Sequence, residues 1–225
     1  MNKEIFDGDR EKLQNVGSER SLVPSESGIE SVFDPEIENL IGLLSRPTHA
    51  LTQGEYDDNM AKRQESVNKF LVRGSAETVR KLFERIRQLD EKQPIKIDLS
   101  MLEISGKILG GLYLPGANLS RLVIARSDIS GGNLAGSDLT EAVATMTIMR
   151  GIVATGSNWD NAVMIRADLS GGRFVGCTFI NTNMMNVIVD RETNFTGAVF
   201  LGTNLGRTDL SIANTTGAVF QGIRR

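Results

Sequence analysis

From Ile97 to Gly222 the apolar positions recur every fifth residue, a spacing that neither a helix of about 3.6 residues per turn nor a strand alternating by two can gather on one face. Cut into fives, the segment gives blocks such as Ala117-Asn118-Leu119-Ser120-Arg121, Ser137-Asp138-Leu139-Thr140-Glu141 and Ala167-Asp168-Leu169-Ser170-Gly171. The third position is bulky and apolar in 22 of 25 blocks, the exceptions being Ala144, Ala154 and Thr215, and the first is Ala, Ser, Thr, Gly or Cys in 18. A coiled geometry must therefore carry every fifth side chain to a common core, with small residues letting the walls close round it.

Ahead of this segment the period is helical. Asp34 as N-cap, Pro35 at the first position and Ile37, Leu40, Ile41 and Leu44 on one face predict a helix over about 35–45, stopping before Pro47. Tyr56, Met60, Val67, Phe70 and Leu71 predict a second over about 54–72, ending near Gly74. Ser75 as N-cap and Ala76, Val79, Leu82, Phe83, Ile86 and Leu89 predict a third over about 75–91. Residues 1–31, rich in Ser, Glu, Gly, Asn and Asp, read as a disordered tail. The predicted organisation is thus a tail at 1–31, a helical segment at 32–94 and a repeat domain at 97–222.

The iterated motif resembles that of the pentapeptide-repeat family, A(D/N)LXX. It is matched closely at Ala117-Asn118-Leu119, Ser137-Asp138-Leu139, Ala167-Asp168-Leu169, Thr203-Asn204-Leu205 and Thr208-Asp209-Leu210, and the resemblance covers about 126 of 225 residues. It implies a mainly β fold, a right-handed quadrilateral β-helix in which four pentapeptides make one square coil, with the third and first residues inward. Gly116, Gly136, Gly156, Gly176, Gly197 and Gly217 recur at 20, 20, 20, 21 and 20 residues, which predicts a corner of positive φ once per coil and about six coils. The 21 places a one-residue insertion, expected as a bulge or bent corner, near Asp190-Arg191-Glu192. Leu102, Lys107 and Leu112 make the first blocks irregular, so the helices are expected to cap that end.

Composition then narrows the chemistry. With one Cys, Cys177, and one His, His49, the chain has no internal disulfide and no zinc set of its own, and no nucleophile triad, P-loop or dinucleotide-binding loop is present. Neither an enzymatic activity nor a metal or other cofactor is expected. Cys177 stands at a small inward position and reads as a packing thiol, Trp159 as core, and His49 as a loop residue. No apolar run is long enough to span a bilayer, and Met1–Asp7 lacks a basic-then-apolar leader. A cytoplasmic protein is expected, with secretion independent of a signal peptide as the alternative.

Residues 96–225 carry 11 basic and 10 acidic groups and residues 1–95 carry 14 and 18, so no direct nucleic-acid binding is expected. The resemblance raises a second possibility, that the chain imitates duplex DNA and protects DNA gyrase as some family members do. The near-neutral repeat region weighs against it.

Stacking blocks 20 residues apart singles out one face. Arg126, Arg166 and Arg207 align outward with Met146 and Asn186 between them, beside Val123, Val143 and Val163, with Ile165 and Met185 also outward. An apolar strip edged by arginine suits a protein partner; docking of the protein's own helices on the strip, or plain solvation, are the other readings. Val219 and Phe220 mark an edge suited to end-to-end homodimerisation. The expectation is a non-catalytic interaction or scaffold protein, a subunit of a larger bacterial assembly or a secreted effector, its partner unidentified.

Overall fold

The computed structural model describes residues 34–45 and 52–225. The tail expected at 1–31 and His49 lie outside the described residues. Pro35–Arg225 forms one unit, in which three helical segments are followed by a β-helix.

Helix α1, Pro35–Leu44, starts at Pro35 and buries Ile37, Leu40, Ile41 and Leu44. Helix α2, Gln53–Val67, starts at Thr52, whose N–H and hydroxyl both donate to the Glu55 carboxylate at 3.0 and 2.6 Å. Its continuation, Asn68–Val72, is a π-helical turn that buries Phe70 and Leu71 and ends because Gly74 must be glycine. A Cβ there would lie 2.2 Å from the Phe70 carbonyl oxygen. Helix α3, Ala76–Lys92, is capped by Ser75, whose Oγ accepts from the Thr78 N–H, and buries Val79, Leu82, Phe83 and Ile86. Lys69–Glu36 at 2.9 Å and Arg85–Glu38 tie the helices together.

In the β-helix each second-position residue pairs in parallel with the residue one coil further on, and the pairs form four ladders. Asp98, Asn118, Asp138, Asn158 and Thr178 make one; Glu103, Val123, Val143, Val163 and Asn183 the next; Ile108, Asp128, Ile148, Asp168 and Ile188 the third; and Tyr113, Asn133, Val153 and Arg173 the fourth. Most rungs are single bridges between turns. Regular strand is confined to β1, Val199–Leu201, and β2, Val219–Gln221, paired in parallel. Third-position side chains fill the axis, and Leu119, Leu139, Trp159, Leu169, Phe174 and Phe179 are all wholly buried. Each contributes about 1.5–3 kcal/mol of burial energy. Phe179, Phe200 and Phe220 stack in one column at centroid distances of 4.9 and 4.7 Å.

First-position hydroxyls have a role beyond being small. Ser127, Ser137, Thr147 and Thr182 donate to the carbonyls of Ile104, Leu114, Ile124 and Trp159 in the coil below, at 2.7–3.0 Å, which lets a polar group sit buried without loss. Second-position Asp and Asn accept from the backbone two residues on. Asp128 Oδ1, for example, receives the Ser130 N–H at 2.9 Å and its hydroxyl at 2.6 Å. These acids therefore shape turns before they present charge.

One expectation needs correction. Positive φ is not confined to one glycine per coil: every fifth residue from Met101 to Asn186 is left-handed, whether glycine or Arg121, Arg126, Glu141, Met146 and Asn161. The ladder bonds on both sides of each turn impose that conformation against a local cost of about 1–2 kcal/mol per non-glycine residue. The helices meet the first coil, as the irregular first blocks led one to expect, and not the arginine-edged strip. Leu44 C=O accepts from the Asp98 N–H, and the Gln64 side chain both donates to Glu103 C=O (3.1 Å) and accepts from the Glu103 N–H (3.0 Å). Gln64 thus makes the bonds that a preceding coil's backbone would make.

The insertion is visible in the pairing: Asp168 pairs with Ile188 20 residues on, but Arg173 pairs with Asn194 after 21. At the extra residue Asp190 Oδ1 accepts from the N–H groups of Gly171, Glu192 and Thr193 and from the Thr193 hydroxyl, at 2.8–3.0 Å.

Candidate partner-binding surface

The turn following the Val143 ladder carries Arg126, Met146, Arg166, Asn186 and Arg207, all at φ of 56–60°. Left-handed backbone at a convex turn throws these side chains outward. The three arginines are exposed, and among the described residues their guanidinium groups form no ion pair. Arg121 and Arg150, by contrast, are committed to Glu141 at 2.8 Å and to Asp168 at 2.6 Å. On one side of the column lie Val123, Val143 and Val163, paired with one another and half-buried, with Ile165 and Met185 also half-buried.

On the other side lies a row that the sequence reading passed over. The Ile108 ladder alternates strictly between isoleucine and aspartate, Ile108, Asp128, Ile148, Asp168, Ile188, and the sequence continues the pattern at Asp209. Ile108 is 83% and Ile188 53% exposed, Ile212 in the same region is 48%, and Met146 is 40%. The arginine column therefore has a valine ladder on one side and a ladder alternating isoleucine with aspartate on the other. The alternation, with a period of two coils, was the signal available in the sequence.

The acids beside the arginines are occupied locally. Asp168 is nearly buried; burial pushes its carboxyl up, but bonds from Ser170 and Arg150 outweigh that and hold it below its usual value. The Asp209 carboxyl is held down by the Ser211 hydroxyl and N–H, with a smaller contribution from Arg225.

At the C-terminal end of the column Val219 is 49% and Phe220 44% exposed, and Phe220 borders a depression of about 480 Å³ lined also by Leu205, Leu210, Thr215 and Ile223. Cys177 is buried, its Sγ 2.8 Å from Ala154 C=O, and burial raises its pKa, a setting for packing and not for nucleophilic attack. Among the described residues no three His, Cys, Asp or Glu side chains group round a common point, and no helix is long and apolar enough to cross a membrane.

These features define a solenoid with a helical cap at one end. The pentapeptide-repeat family model matches residues 147–186 with eight copies, and the β-helical part of the chain is similar to that family. Solved structures that resemble the chain include Rfr23, a pentapeptide repeat protein from the cyanobacterium Cyanothece 51142, at 19% identity over 63% of this chain and 93% of that one, with a TM-score of 0.31. Another is alr5209 from Nostoc Pcc 7120, at 19% identity over 61% and 93%, TM-score 0.39. A third is full-length QnrB1, a plasmid-mediated fluoroquinolone resistance protein, at 18% identity over 54% and 78%, TM-score 0.27. No curated protein matches the sequence.

Proposed function

We propose that this protein is a non-catalytic interaction or scaffold protein whose β-helix, right-handed, quadrilateral and of about six coils, is a rigid post about 29 Å long at strand spacing. Its partner-binding surface is the column of Arg126, Arg166 and Arg207 with Met146, flanked by Val123, Val143, Val163, Ile165 and Met185. The observation that carries this reading is the exposure of three uncommitted guanidiniums between a row of valines and a row that alternates isoleucine with aspartate. Arginine beside aliphatic side chains suits a desolvated protein contact, where a planar donor fork finds carboxylates and carbonyls. Val219 and Phe220 offer a second contact, an end-to-end homodimer. Imitation of duplex DNA is the weaker alternative, because the aspartates that would supply its charge are tied into turns and share their row with isoleucine.

The test is comparative capture from lysate of the source cells, with the full chain and with Arg126→Glu/Arg166→Glu/Arg207→Glu as baits of matched melting temperature. A protein retained by the first and lost by the second supports the surface. Identical captured sets for the two baits would remove it.

A further inference from the structure

The helices leave one side of the first coil uncovered. A rung of the third ladder is made by backbone bonds between Lys107–Gly111 and the strand of the next coil. Lys107 C=O accepts from the Asp128 N–H at 2.7 Å, the Leu109 N–H donates to Asp128 C=O at 2.7 Å, and the Gly111 N–H donates to Ser130 C=O at 2.9 Å. On the edge facing the helices, helix groups stand in for such a rung at two of the ladders. Leu44 C=O and the Arg63 guanidinium take up the N–H and C=O of Asp98, and the Gln64 amide takes up those of Glu103. At Tyr113 the end of α3 covers the side chain, with Arg87 5.2 Å from the ring centre and Asp90 accepting from the hydroxyl at 3.2 Å.

Ile108 has no such cover. Its N–H and C=O, and the C=O of Gly110, have no partner among the described residues. Its side chain is 83% exposed, more than any other large apolar side chain among them. A Cβ added at Gly106 or Gly111 would meet nothing within 4 Å, so the approach is clear on both flanks.

We infer that Lys107–Gly111 is an edge on which a partner protein adds an extended strand, parallel to the ladder, as one further rung of the column. The contact goes beyond the arginine column and does not need it. The bonds define what fits. In register, a five-residue segment would accept from the Ile108 N–H with its first carbonyl and donate to Ile108 C=O and Gly110 C=O with its third and fifth N–H groups. These repeat the three bonds of the rung on the opposite edge of the same strand. The second side chain of the segment would stand about 4.8 Å from Ile108 on the outer face, where a β-branched aliphatic residue covers the isoleucine. The first would stand beside Lys107, which forms no ion pair among the described residues, so a carboxylate there is matched in charge. The third would point to the axis, where Leu109 is already 1% exposed, so it must be small. The occupant is therefore an extended segment that reads acidic, β-branched, small.

Amide NMR of the isotope-labelled full chain tests it, with the end-blocked peptide Glu-Val-Ala-Thr-Gly as the probe. Three backbone bonds and one covered apolar pair lead to a dissociation constant on the order of 1 mM, so the titration runs to about 10 mM. Saturable shifts should centre on Ile108 and Gly111, and the Ile108 amide should exchange more slowly with solvent. Ile108→Asp gives this rung the residue type that its ladder already carries at Asp128 and Asp168, so the fold is kept. It should weaken binding about tenfold, through loss of the apolar pair and repulsion of the glutamate. The same peptide with proline in place of alanine lacks the third N–H and should not bind. Absence of saturable shifts, equal binding of the proline peptide, or indifference to Ile108→Asp overturns the added strand. Shifts confined to Val219–Gln221 assign the peptide to the opposite end of the column and overturn it as well. Shifts at Ile108 that follow the concentration of the chain without peptide assign the edge to a second copy, which refutes the partner strand. None of these outcomes alters what the arginine-reversed bait captures, so the two surfaces fail separately.

Discussion

Glycines in this chain serve two unrelated purposes. Gly136 has φ of +66° and an added Cβ would meet nothing within 4 Å, so a side chain there costs only the left-handed conformation. Gly136→Ala should therefore lower stability by about 1 kcal/mol, read from urea melts. Gly172 is different: a Cβ would lie 2.5 Å from Cε2 of the Phe174 ring and 2.9 Å from Leu169 C=O. Gly172→Ala should cost about 1–3 kcal/mol through overpacking. In a double-mutant cycle with Phe174→Leu the two changes should couple by about 1 kcal/mol or more. Additive effects would show that the ring is not the obstacle. At this scale the sequence was legible wherever side-chain size decided the matter, as at Leu119, Leu169, Trp159 and Cys177. It was not legible where long-range bonds override local preference. Nothing in the residue types of Arg126 or Met146 announces a left-handed turn, because pairing with the coils above and below imposes it.

Among elements, the join between helices and column was the least legible. Arg63 falls on the same helical stripe as Tyr56, Met60 and Val67, yet a charge on an apolar stripe says only that some partner waits. The structure supplies Asp98, 3.0 Å away, with the Arg63 side chain wholly buried. Removing one member of a buried pair leaves the other short of its compensation, so Arg63→Ala should cost about 3 kcal/mol. Amide exchange should show the loss first in residues 97–116, and unchanged protection there would contradict a capping role. The insertion corner yields a pH prediction. The Asp190 carboxyl is held below its usual value, chiefly by the Gly171 N–H, with bonds from Thr193 and Glu192 adding to it against the opposing effect of burial. A depressed folded-state pKa means stability that is complete above the unfolded carboxyl range near pH 4 and lost as pH falls through the folded value. Asp190→Asn keeps the accepting oxygen but has no charge to titrate. Its unfolding free energy should therefore decline less than that of the wild type on acidification below about pH 4. Parallel acid limbs for the two proteins would show that Asp190 contributes nothing there.

Across the whole molecule each coil touches only its neighbours, so the cost of a lesion should depend on where along the axis it falls. One end of the column is closed by α1 and α2, through Leu44, Arg63 and Gln64. At the other, the third ladder has no rung beyond Asp168–Ile188 among the described residues, and Phe220 keeps one ring face against Phe200 while its surroundings open to solvent. The same substitution then has two different outcomes. Leu169 is wholly buried with coils above and below, and an aspartate there would need either to ionise in the core or to unfold it. Leu169→Asp should remove more than about 4 kcal/mol and abolish the cooperative melt. Phe220→Asp loses one stacked ring at a half-open end and should cost about 1 kcal/mol, with the melt still cooperative. A wild-type-like transition for Leu169→Asp would mean that the apolar column is not what holds the coils together. Equal losses at the two positions would mean that the solenoid unfolds without regard to position along its axis.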